Sequence, residues 1–250
     1  MAAPIATDKL RIAADPDRSG QDAGKLPVVL LGCGSFNPPH HVHIRMFELS
    51  KAYLESSGEY EVLGAYLSPV SDGYKKAGLL PANHRVAMCR LAANASDLVM
   101  VDDWEASQNS WTRTLDVLRS VETRLSDALG GTQATRAKVM IVCGSDLVET
   151  FRVPNLWAVE DMRTLAFDQG IVCLARGGAE VSLPLPPSLQ EEANSSPPRF
   201  FVVSNDILND LSSTKIRDAL RAGEPEEGLL EQGIHPDVMA YISKHELYRA

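Results

Sequence analysis

Apolar residues in this chain fall into short unbroken runs, most of them stopped by glycine or polar turn residues and followed by a helical period. Pro27-Val28-Val29-Leu30-Leu31-Gly32 is the first such run, with the continuous apolar texture of a parallel strand buried on both faces. After the turn Gly34-Ser35-Phe36-Asn37-Pro38-Pro39, the stretch from His41 to Tyr53 carries Ile44, Phe47, Leu49 and Ala52 at helical spacings. The unit then recurs. Strands are expected at Tyr60 to Leu67, Leu98 to Val101, Ala137 to Cys143, Ile171 to Ala175 and Phe200 to Val203. Helices are expected at Asn83 to Ala95, Trp111 to Leu129 and Ser213 to Ala222, the last closed by Gly223. Alternation of this kind predicts an α/β fold with a doubly wound, mostly parallel sheet and a small helical part at the C-terminal end. Residues 1–25 show neither period and read as a mobile tail, residues 26–250 as one domain, and Gly177 to Arg199, with its prolines, as a surface loop.

Composition narrows the classes. The 250 residues are 44% apolar, enough for a sizeable core, and no run approaches the roughly 18 apolar residues of a spanning helix. Nor does the first stretch read as a secretory leader or an organelle transit peptide. With 24 cationic and 33 anionic side chains the formal charge is −9, which argues against a broad nucleic-acid or membrane surface; an anionic ligand has to be held by a few local groups. Cys33, Cys89, Cys143 and Cys173 are widely spaced and lack a C-x-x-C pair, as buried thiols in a reducing compartment would be.

In an open parallel sheet, ligands bind beyond the carboxyl ends of the strands. Past the first strand, Gly34, Ser35 and Phe36 lead into a helix whose free N–H groups and dipole favour a phosphate, with His40 and His43 three apart in its first turn. Near the other end, Ser213, Thr214 and Arg217 open a second helix rich in hydroxyls and cations; Ser213 also reads as an ordinary N-cap. A dinucleotide fingerprint starting at Gly32 fails because Asn37 stands where its third glycine belongs, and no Walker-type phosphate loop occurs. The histidine trio is a weak metal candidate, having no carboxylate or thiol nearby in the sequence.

These residues resemble a known family. Gly34 to His43 fit the G-x-F-x-P-x-[HT]-x-x-H signature of adenylyl and cytidylyl transferases, and Ser212 to Arg217 fit their S-x-T-x-x-R element. Ser68-Pro69-Val70, Tyr74 to Leu79, His84-Arg85-Val86, Asp103-Trp104-Glu105, Cys143 to Leu147, Val153 to Trp157 and Tyr241 to Tyr248 are similar to segments of the eukaryotic nicotinamide mononucleotide adenylyltransferases. The likeness spans about residues 27 to 249.

The resemblance implies adenylyl transfer from ATP to nicotinamide mononucleotide, and to its deamidated form, giving NAD or deamido-NAD and pyrophosphate. It implies His43, Lys76 and Arg217 as the catalytic groups. It places Gly34, Ser35, Phe36, His40, Gly144, Asp146, Arg176, Asn209, Ser213 and Thr214 with them around ATP. Ser35, Phe36, Trp111, Thr114, Leu156 and Trp157 would surround the mononucleotide. Magnesium, or another divalent cation, would be carried by the phosphates with no protein metal site. The expected partners are the two small-molecule substrates, with a homo-oligomer left open and neither nucleic acid nor membrane. No basic nuclear-import run is present, so the cytoplasm and the nucleus both fit. The runners-up are the same fold acting on another phosphate acceptor, a nucleotide or NAD sensor without catalysis, and an NAD-dependent oxidoreductase.

Overall fold

The structure, a computed structural model, describes residues 4–11, 24–130, 137–176, 180–205 and 212–249, without the side chains of Arg176 and Asn205. Six strands form one sheet: β1 (Leu26–Gly34), β2 (Tyr60–Pro69), β3 (Val99–Val101), β4 (Lys138–Gly144), β5 (Ile171–Arg176) and β6 (Phe200–Asn205). Every pairing is parallel and the spatial order is β3-β2-β1-β4-β5-β6. The order reverses between β1 and β4, so a crevice opens at their carboxyl ends.

Both faces of β1 are buried, as the unbroken apolar run requires. Val28 and Leu30 join Phe47, Leu54, Met88 and Ile216 in one core, while Val29 and Leu31 join Leu115, Leu118 and Val121 in the other. The first core lies under α1 (His41–Ser56), α2 (Ala82–Ala93), α7 (Ser213–Ala222) and the small terminal helices α8 (Glu226–Gln232) and α9 (Pro236–Lys244). The second lies under α3 (Thr114–Ala128) and α5 (Val159–Arg163), with α4 (Ser145–Glu149) following β4 directly. No helix among the described residues is long and apolar enough to cross a membrane.

Three expectations need correction. The buried stripe of α1 is Ile44, Phe47, Ser50 and Leu54; Ala52 faces solvent and Leu49 is only half buried. The segment from Gly177 to Arg199 is not all loop, because α6 (Pro187–Ser195) lies within it. Proline at the first helical position suits that start, since its missing N–H would be unpaired there anyway, and Leu189 anchors the helix in the core. Residues 4–11 do not behave as a tail. Ile5 is buried, and the Lys9 ammonium donates to the carbonyls of Ala93, Ser96 and Val99 at 2.8, 2.8 and 3.0 Å, tying this segment to the end of α2 and the start of β3. Residues 12–23 lie outside the described residues.

Candidate active site

Where β1 ends, space is made by glycine. A Cβ on Gly32 would stand 2.8 Å from the Phe47 ring, so only glycine lets α1 pack this close to the strand. The chain then turns through Phe36, whose φ of +43° folds its ring back over Gly34 and edge-on to His43 at 5.0 Å. His40 is the extended N-cap of α1. Its backbone N–H donates to His43 Nδ1 at 3.1 Å, and the two rings lie 3.8 Å apart. An accepting Nδ1 leaves the proton of the neutral ring on Nε2.

The turn is braced from below by side chains whose importance no local pattern announced. Arg85, fully buried on α2, donates from Nε to the Leu80 carbonyl (2.8 Å), from Nη1 to the Ser35 carbonyl (3.2 Å) and from Nη2 to the Val70 carbonyl (2.7 Å) and to Asp72 (3.0 Å). Asn37 donates from Nδ2 to the Gly78 carbonyl at 2.8 Å. Its Oδ1 accepts from the Leu80 N–H at 3.3 Å and from the Tyr248 hydroxyl at 2.8 Å. The one available signal was Arg85 itself, a cation on the apolar face that also carries Met88, Cys89 and Ala92.

The helix α7 closes onto this turn from the far end of the chain. Its N-cap is Ser212, whose hydroxyl oxygen accepts from the Lys215 N–H, and not Ser213 as the sequence suggested. Ser213 instead occupies the first helical position and donates to the Pro38 carbonyl at 2.8 Å. Arg217 donates from Nη1 to the Asn37 carbonyl (2.8 Å) and from Nη2 to Thr214 Oγ1 (3.2 Å), while its buried Nε has no partner among the described residues.

Two adjoining cavities result. One, of about 320 Å³, is lined by Gly34, Ser35, Phe36, His40, His43, Gly144, Asp146 and Ser213, together with residues of β1, α1 and β4. The other, of about 220 Å³, is lined by Ser35, Phe36, His43, Lys76, Ser213, Thr214 and Arg217 with Asn37 and Ala77. Eleven of the residues expected around ATP thus meet at the β1/β4 crevice. Arg176 ends β5; its side chain and the whole of Asn209 lie outside the described residues.

Trp111, Thr114, Leu156 and Trp157 line neither cavity. Trp111 is 53% exposed on the segment before α3, and its backbone presses on the turn that precedes Lys76: a Cβ on Gly73 would stand 2.6 Å from the Trp111 nitrogen. Thr114 opens α3, and Arg113 beside it pairs with Asp161 of α5 at 3.3 Å. Leu156 is 52% exposed just before α5, whereas Trp157 packs on Phe151 at 4.7 Å and donates its indole N–H to Thr150.

Behind the crevice lies a buried acid. Glu105 accepts from the Ser68 hydroxyl at 3.0 Å, and burial, with a smaller push from Asp102 and against the opposing Ser68 hydrogen bond and Arg85 charge, raises its carboxyl to about 7. The Cys33 thiol is held well above its ordinary value, first by burial and then by Glu105 and Asp102, which leaves it protonated and unreactive.

Comparison with known proteins gives the family. The cytidylyltransferase-like family profile matches residues 31–219. A nicotinamide/nicotinic acid mononucleotide adenylyltransferase of Arabidopsis thaliana is 41% identical over 99% of this chain and 98% of its own length. Its namesake from Oryza sativa subsp. japonica is 40% identical over 98% and 94%, and nicotinamide/nicotinic acid mononucleotide adenylyltransferase 1 of Bos taurus is 37% identical over 91% of each. Among solved structures, the Plasmodium falciparum nicotinic acid mononucleotide adenylyltransferase complexed with NaAD shares the fold at a TM-score of 0.60, 19% identity and coverage of 89% of this chain and 97% of that one. The chain therefore belongs to the nicotinamide/nicotinic acid mononucleotide adenylyltransferase family, within the cytidylyltransferase-like proteins.

Proposed function

We propose that the chain condenses ATP with nicotinamide mononucleotide, and with nicotinate mononucleotide, to give NAD or deamido-NAD and pyrophosphate, residues 26–250 acting as one nucleotidyltransferase domain. The observation that carries this reading is the meeting of two helix N-termini, those of α1 and α7, around cavities lined by His43, Lys76 and Arg217. Such ends favour phosphate through their free N–H groups and dipoles. The buried Nε of Arg217 adds a donor without an acceptor beside them.

The mononucleotide phosphate is already ionised at neutral pH, so its attack on the α-phosphate of ATP needs no general base. The protein's part is to hold two anions in line and to stabilise the charge that grows on the α-phosphate and the departing pyrophosphate. His43 offers its Nε2 proton, Lys76 and Arg217 their charges, and Ser213 and Thr214 hydroxyls that fix the triphosphate. Gly34, Ser35 and Phe36 bring backbone close to both nucleotides, with His40 behind His43. Gly144 and Asp146 are placed for ribose hydroxyls and the neighbouring base. Trp111, Thr114, Leu156 and Trp157, outside the two cavities, would flank the mononucleotide's flat ring, and the Arg113–Asp161 pair joins the segments that carry them.

Donors facing the cavities are mainly cations and hydroxyls, and no group of three or more metal-ligating side chains occurs among the described residues. That set suits magnesium carried in by the triphosphate, where it would neutralise phosphate charge. Free thiols accord with a reducing compartment, cytoplasmic or nuclear.

The test is formation of NAD and pyrophosphate from ATP, nicotinamide mononucleotide and magnesium, with His43→Ala beside the parent. Loss of one electrostatic contact of this kind costs about 3 kcal/mol in the transition state, so His43→Ala should fold normally and turn over about a hundredfold more slowly. No product from the parent refutes the reaction, and near-parental turnover by the variant refutes the role of His43.

A further inference from the structure

We propose that Tyr248, 211 residues beyond Asn37, is a positioning residue for Lys76, acting through the Asn37 carboxamide and the 75–80 loop; the inference rests on the adenylyl-transfer reading.

The loop that carries Lys76 is an irregular one. Lys75 and Gly78 both sit in the left-handed region, at φ +52° and +72°, and the loop's surface is exposed. A lysine side chain is a point charge on a flexible stem, so its placement depends on how well its backbone is anchored. Within the loop, Leu79 N–H donates to the Lys76 carbonyl at 3.1 Å. Two side chains tie the loop to the turn before α1: the Asn37 carboxamide directly, Nδ2 to the Gly78 carbonyl at 2.8 Å and Oδ1 from the Leu80 N–H at 3.3 Å, and Arg85 as a bridge from the Leu80 carbonyl (2.8 Å) to the Ser35 carbonyl (3.2 Å).

A carboxamide can hold a donor and an acceptor at once only in one of its two orientations. Tyr248 selects it. Its hydroxyl donates to Oδ1 at 2.8 Å in a buried contact, shorter than the Leu80 bond to the same oxygen. Burial raises the phenol well above its ordinary value, so it stays protonated and remains a donor at any working pH. The ring is buried in the same core as Ile216 and Ile242, and the residue itself holds φ +65°. Packing thus fixes the ring, and the fixed hydroxyl anchors the amide oxygen from the core side. Without that hydroxyl, Oδ1 keeps only the longer Leu80 bond, and the 75–80 loop is held on the turn less firmly, by the remaining Asn37 bonds and the Arg85 bridge.

Tyr248→Phe removes one oxygen and retains the packing. Expected are a kcat about tenfold below the parent, a KM for the mononucleotide within twofold, and a Tm within a few degrees. In a Lys76→Ala background the same change should alter kcat by less than twofold, because the path to the chemistry is already cut. Amide hydrogen exchange without substrates should speed up at Leu79 and Leu80 and stay unchanged across α7. Parental kcat in Tyr248→Phe, an undiminished tenfold fall on Lys76→Ala, or a rate loss matched by the loss of folded protein would each overturn the inference. Should the parent make no NAD, the adenylyl-transfer reading fails, and unchanged exchange at Leu79 and Leu80 would overturn the positioning role independently.

Discussion

The two helix N-termini that face the cavities are held in different ways. The start of α1 rests on buried groups: Arg85 under Ser35, and Asn37 between Gly78, Leu80 and Tyr248. The start of α7 rests on α1 instead. Its own cap, Ser212, is partly exposed, and Ser213 and Arg217 tie it to the Pro38 and Asn37 carbonyls. One end is therefore a foundation and the other a dependent. Two motifs almost two hundred residues apart make one site because the second takes its bearings from backbone carbonyls of the first.

If that asymmetry is right, damage to the two ends should be unequal. Arg85→Met strips the Ser35, Val70 and Leu80 carbonyls of a buried partner, and each such loss costs about 1–3 kcal/mol. A fall of at least roughly 3 kcal/mol in unfolding free energy is expected, or roughly 6–12 °C in Tm for a domain of this size. A thermal scan with less than 2 °C of change would show that α1 is not founded on this guanidinium.

A second comparison uses pH. Because Glu105 titrates near 7 when folded and at an ordinary carboxylate value near 4.3 when unfolded, folding holds its proton more tightly. Its stabilising contribution is fully present below the unfolded value and is lost as pH rises through 7, to the extent of about 4 kcal/mol. Glu105→Gln mimics the protonated form, so urea midpoints should fall from pH 5 to pH 8 in the parent and much less in the variant. Parallel pH profiles would remove Glu105 as the buried acid beneath the α1 end.

The smallest effect belongs to α7. Ser212→Ala deletes an N-cap and should cost about 1 kcal/mol, some 2–4 °C in Tm, because Ser213 and Arg217 still clamp the helix start. A loss as large as that of Arg85→Met would make α7 a foundation too.

What could be read from the chain follows from the range of the forces involved. Buried parallel strands have to be apolar on both faces, so β1 and β4 stood out as unbroken runs, and helices that present N–H groups to phosphate need short polar residues at fixed offsets. The bonds of Asn37, Arg85 and Tyr248 span 5 to 211 positions, all but one of them 13 or more, and a bond of that span leaves no period. Docking of residues 4–11 was hidden for the same reason: Lys9 reads as surface charge until the carbonyls of Ala93, Ser96 and Val99 converge on it. At α6 the prolines signalled a loop, though proline at a first helical position is equally a start.

The Asn37–Tyr248 bond also orders events in time. A chain made from its N-terminus at roughly 5–20 residues per second spends on the order of 10–40 s between these two residues. Throughout that interval β1, its turn and α1 exist without the hydroxyl that sets the turn's amide. A polypeptide cut short between Arg217 and residue 248 would retain both nucleotide motifs and the Ser213 and Arg217 bonds between them, yet would lack the hydroxyl on the Asn37 oxygen. That bond therefore forms only once synthesis has run at least that far.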